Sequence, residues 1–219
     1  KLVQQIFPES FILYIPKDII AGDFYWMEHS GDYTFFAAAD STGHGVPGAM
    51  VSVVCSNALN RCVKEFKLTE PGLVLDKARE LVLETFAKSE GDVKDGMDIS
   101  LLCINRKKKT ATWSGANNAL WYINAGENEL KEIKANKQPI GKTDNPLPFT
   151  THQFDCVRNP CHADRAHARL RHHPGLALAA EPGAVHRHEH LANRLRATRP
   201  GAGVGLADAA DVFAGDVED

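Results

Sequence analysis

IIAGDFYWMEHSGDYTFFAAADSTGHGVPGAMVSVV, residues 19–54, changes its periodicity part-way, and that change decides the fold class. IIAGDFYWMEH and YTFFAAAD are β-rich runs joined by the turn Ser30-Gly31-Asp32, so they read as an antiparallel pair. From Val46 to Phe66 the apolar residues fall at helical spacing (Val46, Met50, Val53, Val54, Leu59, Val63, Phe66), with Pro47 acceptable in a first helical turn. A long buried helix is therefore expected directly after the hairpin.

Upstream, FILYIP (residues 11–16) is a further β-rich run. Downstream, Pro71 to Lys88 repeats the helical signature with Leu73, Leu75, Ala78, Leu81, Val82, Leu83 and Phe86, and the polar stretch SEGDVKDG ends it. ISLLCIN, TATWSGA, ALWYINA and LKEIKA then return to strand patterns, with turns at Arg106 to Lys109 and at Ala125-Gly126-Glu127-Asn128, and predict a meander. Strands, two consecutive helices and strands again exclude a doubly wound βαβ sheet. They predict an α+β sandwich of two antiparallel sheets flanked by helices, an α-β-β-α order.

The 219 residues, 43% of them hydrophobic, suffice for one sizeable core. A net charge of −3 supplies no basic face for nucleic acid or an anionic membrane. No run reaches the roughly 20 apolar residues needed to span a bilayer, and KLVQQIFPES lacks the order of a signal peptide, so a cytoplasmic location is expected. Lys1 in place of an initiator methionine predicts a domain upstream. Five cysteines are an odd set, and Cys55, Cys62 and Cys103 lie in apolar surroundings, which argues against a disulfide framework.

Composition breaks near Asp155. Residues 1–155 hold all 14 lysines, 3 arginines and 3 histidines, whereas residues 156–219 hold no lysine, 8 arginines and 7 histidines. The second stretch is rich in Ala, Arg, His, Gly and Pro and keeps neither period, so the expected division is a folded domain over 1–155 and a tail over 156–219.

Asp23 lies in Ala-Gly-Asp-Phe-Tyr-Trp on the first strand of the hairpin, and Asp40 ends the second in Ala-Asp-Ser-Thr-Gly-His-Gly. They stand 8 and 9 residues from Gly31, so pairing through the turn brings both carboxylates to one end of the sheet. Two such groups repel unless a cation lies between them, and oxygen ligands suit a hard divalent ion such as magnesium or manganese. Either aspartate alone would read as a turn residue. It is the pair that points to a metal.

PKDIIAGDFYW, AAADSTGHGVPGAMVS, DGMDISLLCIN, WSGANNALWYI and KQPIG resemble, in order, successive motifs of the SpoIIE-like branch of the PPM (PP2C-like) metal-dependent protein serine/threonine phosphatases. The resemblance runs over about residues 8–155. It implies two Mn or Mg ions between two antiparallel sheets, and a metal-activated water that attacks phosphoserine or phosphothreonine on a protein without a covalent intermediate. It also implies roles: Asp40 bridges the metals, the Ser41 backbone carbonyl ligates one, Asp23 holds a metal or its waters, and His44 protonates the leaving group or, alternatively, stabilises the loop. Asp95 and Asp98 read instead as loop and strand-cap residues, and Asn117 and Asn118 as turn formers. The implied partner is a phosphorylated regulatory protein, such as an anti-sigma-factor antagonist, under the control of an upstream sensor domain.

The family's later Asp-Gly motif and its last metal-binding aspartate are not recognisable after Asp155. The break falls where the next core strand would begin, which points to a tail read out of frame, and a site lacking those carboxylates should bind metal more weakly. A degenerate phosphatase fold that recognises phosphoproteins without turnover is the alternative.

Two rival motifs are weaker. Gly43-His44-Gly45-Val46-Pro47-Gly48 satisfies Gly-x-Gly-x-x-Gly, but no parallel βαβ unit surrounds it and Asp40 would repel a pyrophosphate. Cys156, Cys161, His162 and His167 could be drawn as a zinc site, a coincidence expected in a His-rich tail.

Overall fold

The computed structural model describes residues 10–14, 19–87, 95–122, 130–155, 167–169 and 176–180. The opening hairpin forms as the sequence predicts. β2 (Phe24–Ser30) and β3 (Tyr33–Ser41) pair antiparallel from Ser30 opposite Tyr33 to Phe24 opposite Ala39, through a turn in which Gly31 takes φ +60°. That left-handed conformation is costless only for glycine.

β3 is the second of five strands in one sheet, ordered β2, β3, β4 (Met97–Asn105), β5 (Thr110–Ala116) and β8 (His152–Asp155), with every neighbouring pair antiparallel. β1 (Ser10–Tyr14), β6 (Leu120–Tyr122), β7 (Lys131–Ile133), β9 (His167–Arg169) and β10 (Leu176–Ala180) form a second antiparallel sheet, in the order β1, β10, β9, β6, β7. Two of these strands come from beyond Asp155. The expected α+β sandwich of antiparallel sheets is therefore present.

The predicted meander is only partly so. β4 with β5 and β6 with β7 are hairpins, but β5 and β6 lie in different sheets. The chain changes sheet at Asn117, whose φ of +57° turns it out of β5. Local periodicity identifies the strands but carries no information about which sheet each joins. The turn at 125–128, the acidic loop at 89–94 and the cysteines Cys156 and Cys161 lie outside the described residues, as does the side chain of His167.

Both helices cover one face of the β2-to-β8 sheet: α1 (Gly45–Lys64) lies over β2 and β3, and α2 (Pro71–Phe86) over β4 and β5. Alternation along the strands supplies that face with Phe35, Ala37, Ala39, Met97, Ile99, Leu101 and Cys103. From the helices come Val51, Cys55, Ala58, Leu59, Cys62, Val63, Val74, Leu75, Ala78, Leu81 and Val82. This departs from the stripe expected for α1, since Val46, Met50 and Val53 are 62%, 64% and 62% exposed. The buried face keeps Leu59 and Val63 of that stripe and adds Gly48, Val51, Cys55, Ala58 and Cys62, mostly small side chains that let the helix backbone sit close to the sheet. A search for large apolar residues therefore finds the Leu59 and Val63 part of the buried face and misses the rest.

The opposite face of the sheet turns toward the second sheet, where β9 and β10 lie against β3 and β4. Trp113 is its largest fully buried side chain, and its indole N–H donates to Ser100 Oγ at 2.8 Å. Cys55, Cys62 and Cys103 are free, buried thiols. Among the described residues no helix is long and apolar enough to cross a membrane.

Candidate active site

The end of the sheet where β3 finishes and β4 begins gathers the acidic residues. The β2–β3 register, continued by one residue past Phe24 opposite Ala39, sets Asp23 opposite Asp40. The β3–β4 register sets Asp40 directly opposite Asp98, and Asn117 follows on the far side, donating its amide to Asp98 Oδ1 at 2.8 Å. Asp23, Asp40, Asp98 and Asn117 thus form one row across four neighbouring segments.

The convergence has an electrostatic consequence. Asp40 is raised from 3.8 to about 7, first by burial, then by a hydrogen bond with Asp23 and by the charges of Asp23 and Asp98. Each of these influences opposes its ionisation. Among the described residues, however, no group of three or more His, Cys, Asp or Glu side chains stands at a spacing that could hold a metal ion. Asp40 is the focus of the row. Asp23 is further tied down by the Tyr14 hydroxyl, which donates to its backbone carbonyl at 3.0 Å, and Tyr14 meets Tyr25 edge-on at 6.1 Å.

Ser41 is buried, and its hydroxyl lies 2.8 Å from the Gly22 carbonyl and 3.0 Å from the Gly48 carbonyl. It thereby pins the start of α1 to the segment leading into β2. The same approach explains the Gly-x-Gly-x-x-Gly pattern: a Cβ on Gly48 would lie 2.7 Å from the Gly43 carbonyl oxygen. The last glycine of the pattern faces neighbouring backbone rather than a ligand, and the strands around it are antiparallel. His44 is the exposed N-cap of α1, in extended backbone and without a capping hydrogen bond from its side chain.

The start of β4 is fastened from both sides. Thr42 Oγ1 donates to Asp95 Oδ1 at 2.8 Å and accepts from the Gly96 N–H at 3.1 Å, while Met97 and Ile140 exchange two backbone hydrogen bonds of 3.1 and 2.8 Å. The KQPIG segment therefore serves as a brace for the acidic end. Gln138 and Leu147 exchange two more bonds, and α2 grips the same loop through Asp76, which accepts from the Phe149 N–H, and Arg79, which donates to the Leu147 carbonyl.

Asp98, read from the sequence as a strand-cap residue, is the second residue of β4 and lies opposite Asp40. Its signal was present: in MDISLLCIN the alternation separates Asp98 and Ser100 from Met97, Ile99 and Leu101, and so puts Asp98 on the face that Asp40 occupies. What the sequence lacked was the β3–β4 register that brings the two together.

The family model of Stage II sporulation protein E (SpoIIE) matches residues 30–158, more than half of the chain. The chain belongs to the SpoIIE family. Among solved structures it is similar to the SiaA-PP2C domain of Pseudomonas aeruginosa, at 24% identity and TM-score 0.61, over 71% of this chain and 60% of that one. It is also similar to the PP2C phosphatase domain of SpoIIE from Bacillus subtilis, at 15% identity and TM-score 0.53, over 67% and 42%. A third similar structure is RsbX in complex with magnesium, at 14% identity and TM-score 0.50, over 73% and 69%. The chain thus spans under two thirds of the length of the SiaA domain. Comparison with curated protein sequences finds no match. The SpoIIE-family chain has a PP2C-type phosphatase fold.

Proposed function

We propose that this SpoIIE-family chain carries part of a metal-dependent phosphatase that hydrolyses phosphoserine or phosphothreonine on a regulatory protein. The observation that supports this is Asp40, half-buried at the end of β3 and opposed in its ionisation by burial, by Asp23 and by Asp98. A divalent cation relieves all three penalties together, and the all-oxygen donors fit Mg or Mn rather than a softer metal.

Asp40 and Asp23 would hold the two ions, with the Ser41 carbonyl as a neutral oxygen donor. When bound, such ions supply a water nucleophile at neutral pH and neutralise phosphoryl charge. Asp40 contributes fixed negative charge at the sheet end, and the Ser41 hydroxyl holds the strand end against α1 so that the donors keep their places. His44, exposed at the N-cap, is the group available to return a proton to the departing serine or threonine oxygen.

A small phosphoprotein of an anti-sigma partner switch is the proposed substrate, with an upstream sensor domain as regulator and the cytoplasm as the location. The test is Mn-dependent turnover of a phosphorylated protein, alongside Mn binding, for the unsubstituted chain and Asp40→Ala. Loss of both in the variant is expected. Unchanged turnover would refute the assignment, and phosphoprotein binding without turnover in the unsubstituted chain would replace hydrolysis by recognition.

A further inference from the structure

Tyr14 and Tyr25 come from different sheets and meet beside the acidic row. Tyr14 ends β1, first in the order of one sheet, and Tyr25 is the second residue of β2, first in the order of the other. Tyr25 pairs with Ala38, and alternation along β3 sets Ala38 and Asp40 on the face opposite to the helix-side Ala37 and Ala39. Tyr25 therefore shares the face of Asp40. The Tyr14 ring meets it edge-on, with centroids 6.1 Å apart and planes at 77°, and the Tyr14 hydroxyl donates to the Asp23 carbonyl at 3.0 Å. Burial first, then the charge of Asp23 and the neighbouring Tyr25, raise that hydroxyl above its ordinary value, so it stays a donor at neutral pH. With the polar tip of Tyr14 so engaged, its ring is what it presents to a ligand. Tyr14 is nevertheless 39% and Tyr25 48% exposed, so the two rings form an open aromatic shelf beside the row.

We propose that Tyr14 and Tyr25 determine specificity: they receive a large apolar side chain two residues from the phosphorylated serine or threonine of the protein substrate. The inference rests on the phosphatase reading of the acidic row above. Spacing sets the position. Tyr25 stands level with Ala38, about 7 Å along β3 from Asp40, and an extended substrate segment covers about 7 Å in two residues. Side chains two apart in an extended segment also point the same way. A segment that runs along the sheet end toward β2 and turns its phosphorylated residue to Asp40 therefore turns its second neighbour onto the rings. Rigid tyrosine rings give large contact area at low entropic cost, and they gain most from an apolar side chain. An acidic one would meet the charge of Asp23, whose influence already reaches the Tyr14 hydroxyl.

The experiment uses three end-blocked peptides in which phosphoserine, with alanine on each side, is flanked at both second positions by leucine, by alanine or by lysine. Placing the test residue on both sides covers either direction of binding. The 219-residue chain, Tyr25→Ala and Tyr25→Phe are assayed with Mn for phosphate release and, by calorimetry, for binding. The leucine peptide should be favoured over the alanine peptide about 5-fold in kcat/KM or Kd, the effect of burying about half a leucine side chain. Tyr25→Ala should abolish that ratio, and Tyr25→Phe, which restores the ring, should keep it. A merely structural role for Tyr25 would weaken both peptides alike and leave the ratio in place, which overturns the proposal. Equal use of the leucine and alanine peptides by the unsubstituted chain also overturns it, as does a preference for the lysine peptide, and each leaves the phosphatase reading standing. An unsubstituted chain that neither binds nor hydrolyses any of the three refutes instead that underlying reading and takes the proposal with it.

Discussion

Replacing Asp40 with asparagine should stabilise the metal-free protein while removing its proposed function. The carboxyl is raised from 3.8 to about 7, so the native state holds this proton more tightly than the unfolded state does. Between those values the unfolded chain binds fewer protons, and stability falls as pH rises from about 4 to about 7, where the loss is complete. Asparagine has nearly the same shape and does not titrate. The gap between variant and parent is therefore near zero below about pH 4 and greatest above about pH 7. The full shift corresponds to about 4 kcal/mol. Asp40 is only half-buried and its neighbours reach solvent, so screening reduces this to about 1–2 kcal/mol. In a domain of this size that is a rise in Tm of roughly 2–8 °C. Circular dichroism melts in chelator at pH 4, 5.5 and 8 make the measurement. A variant less stable than its parent at pH 8, or more stable by the same margin at every pH, would refute the reasoning, because neither follows from relief of a frustrated charge.

Gly48→Ala places a Cβ 2.7 Å from the Gly43 oxygen and 2.8 Å from its carbon, both backbone atoms that cannot swing aside. Urea unfolding should show a loss of about 2–3 kcal/mol, within the range for overpacking, and a loss below about 0.5 kcal/mol would show that the α1 start is not held as described. Cys55, Cys62 and Cys103 are buried, with thiols pushed up to about 12 chiefly by desolvation. Peptide mapping after maleimide treatment should find these three unmodified in the native protein and modified in urea, and labelling of any of them under native conditions would contradict the packing of the helices on the sheet.

Much of the fold could be read locally. The hairpin about Gly31, the helices at 45–64 and 71–86, and the β4–β5 hairpin with its turn at 106–109 follow from period and turn chemistry, signals carried within a few residues. The pairing of Asp23 with Asp40 was legible for the same reason, since a two-strand hairpin has its register set by its own turn. Asp98 was not, because β4 reaches β3 only after two helices, and a register across that distance depends on how the helices pack. The buried face of α1 was read only in part, through Leu59 and Val63, for a related reason: close helix-to-sheet packing also selects small residues, and Cys55, Ala58 and Cys62 carry a weaker apolar signal than the exposed Met50 and Val53.

By itself, then, the sequence determined the class of the fold, the order of its elements and the two aspartates at the end of the first hairpin, because each depends on short-range periodicity or on one tight turn. Only the tertiary structure decided that β5 and β6 part into different sheets at Asn117, that Asp98 completes the row beside Asp40, and that Asp76, Arg79 and Gln138 clamp the loop behind it. Those arrangements join residues distant in the chain, and they exist only once the sheet and helices have packed and excluded water from between them.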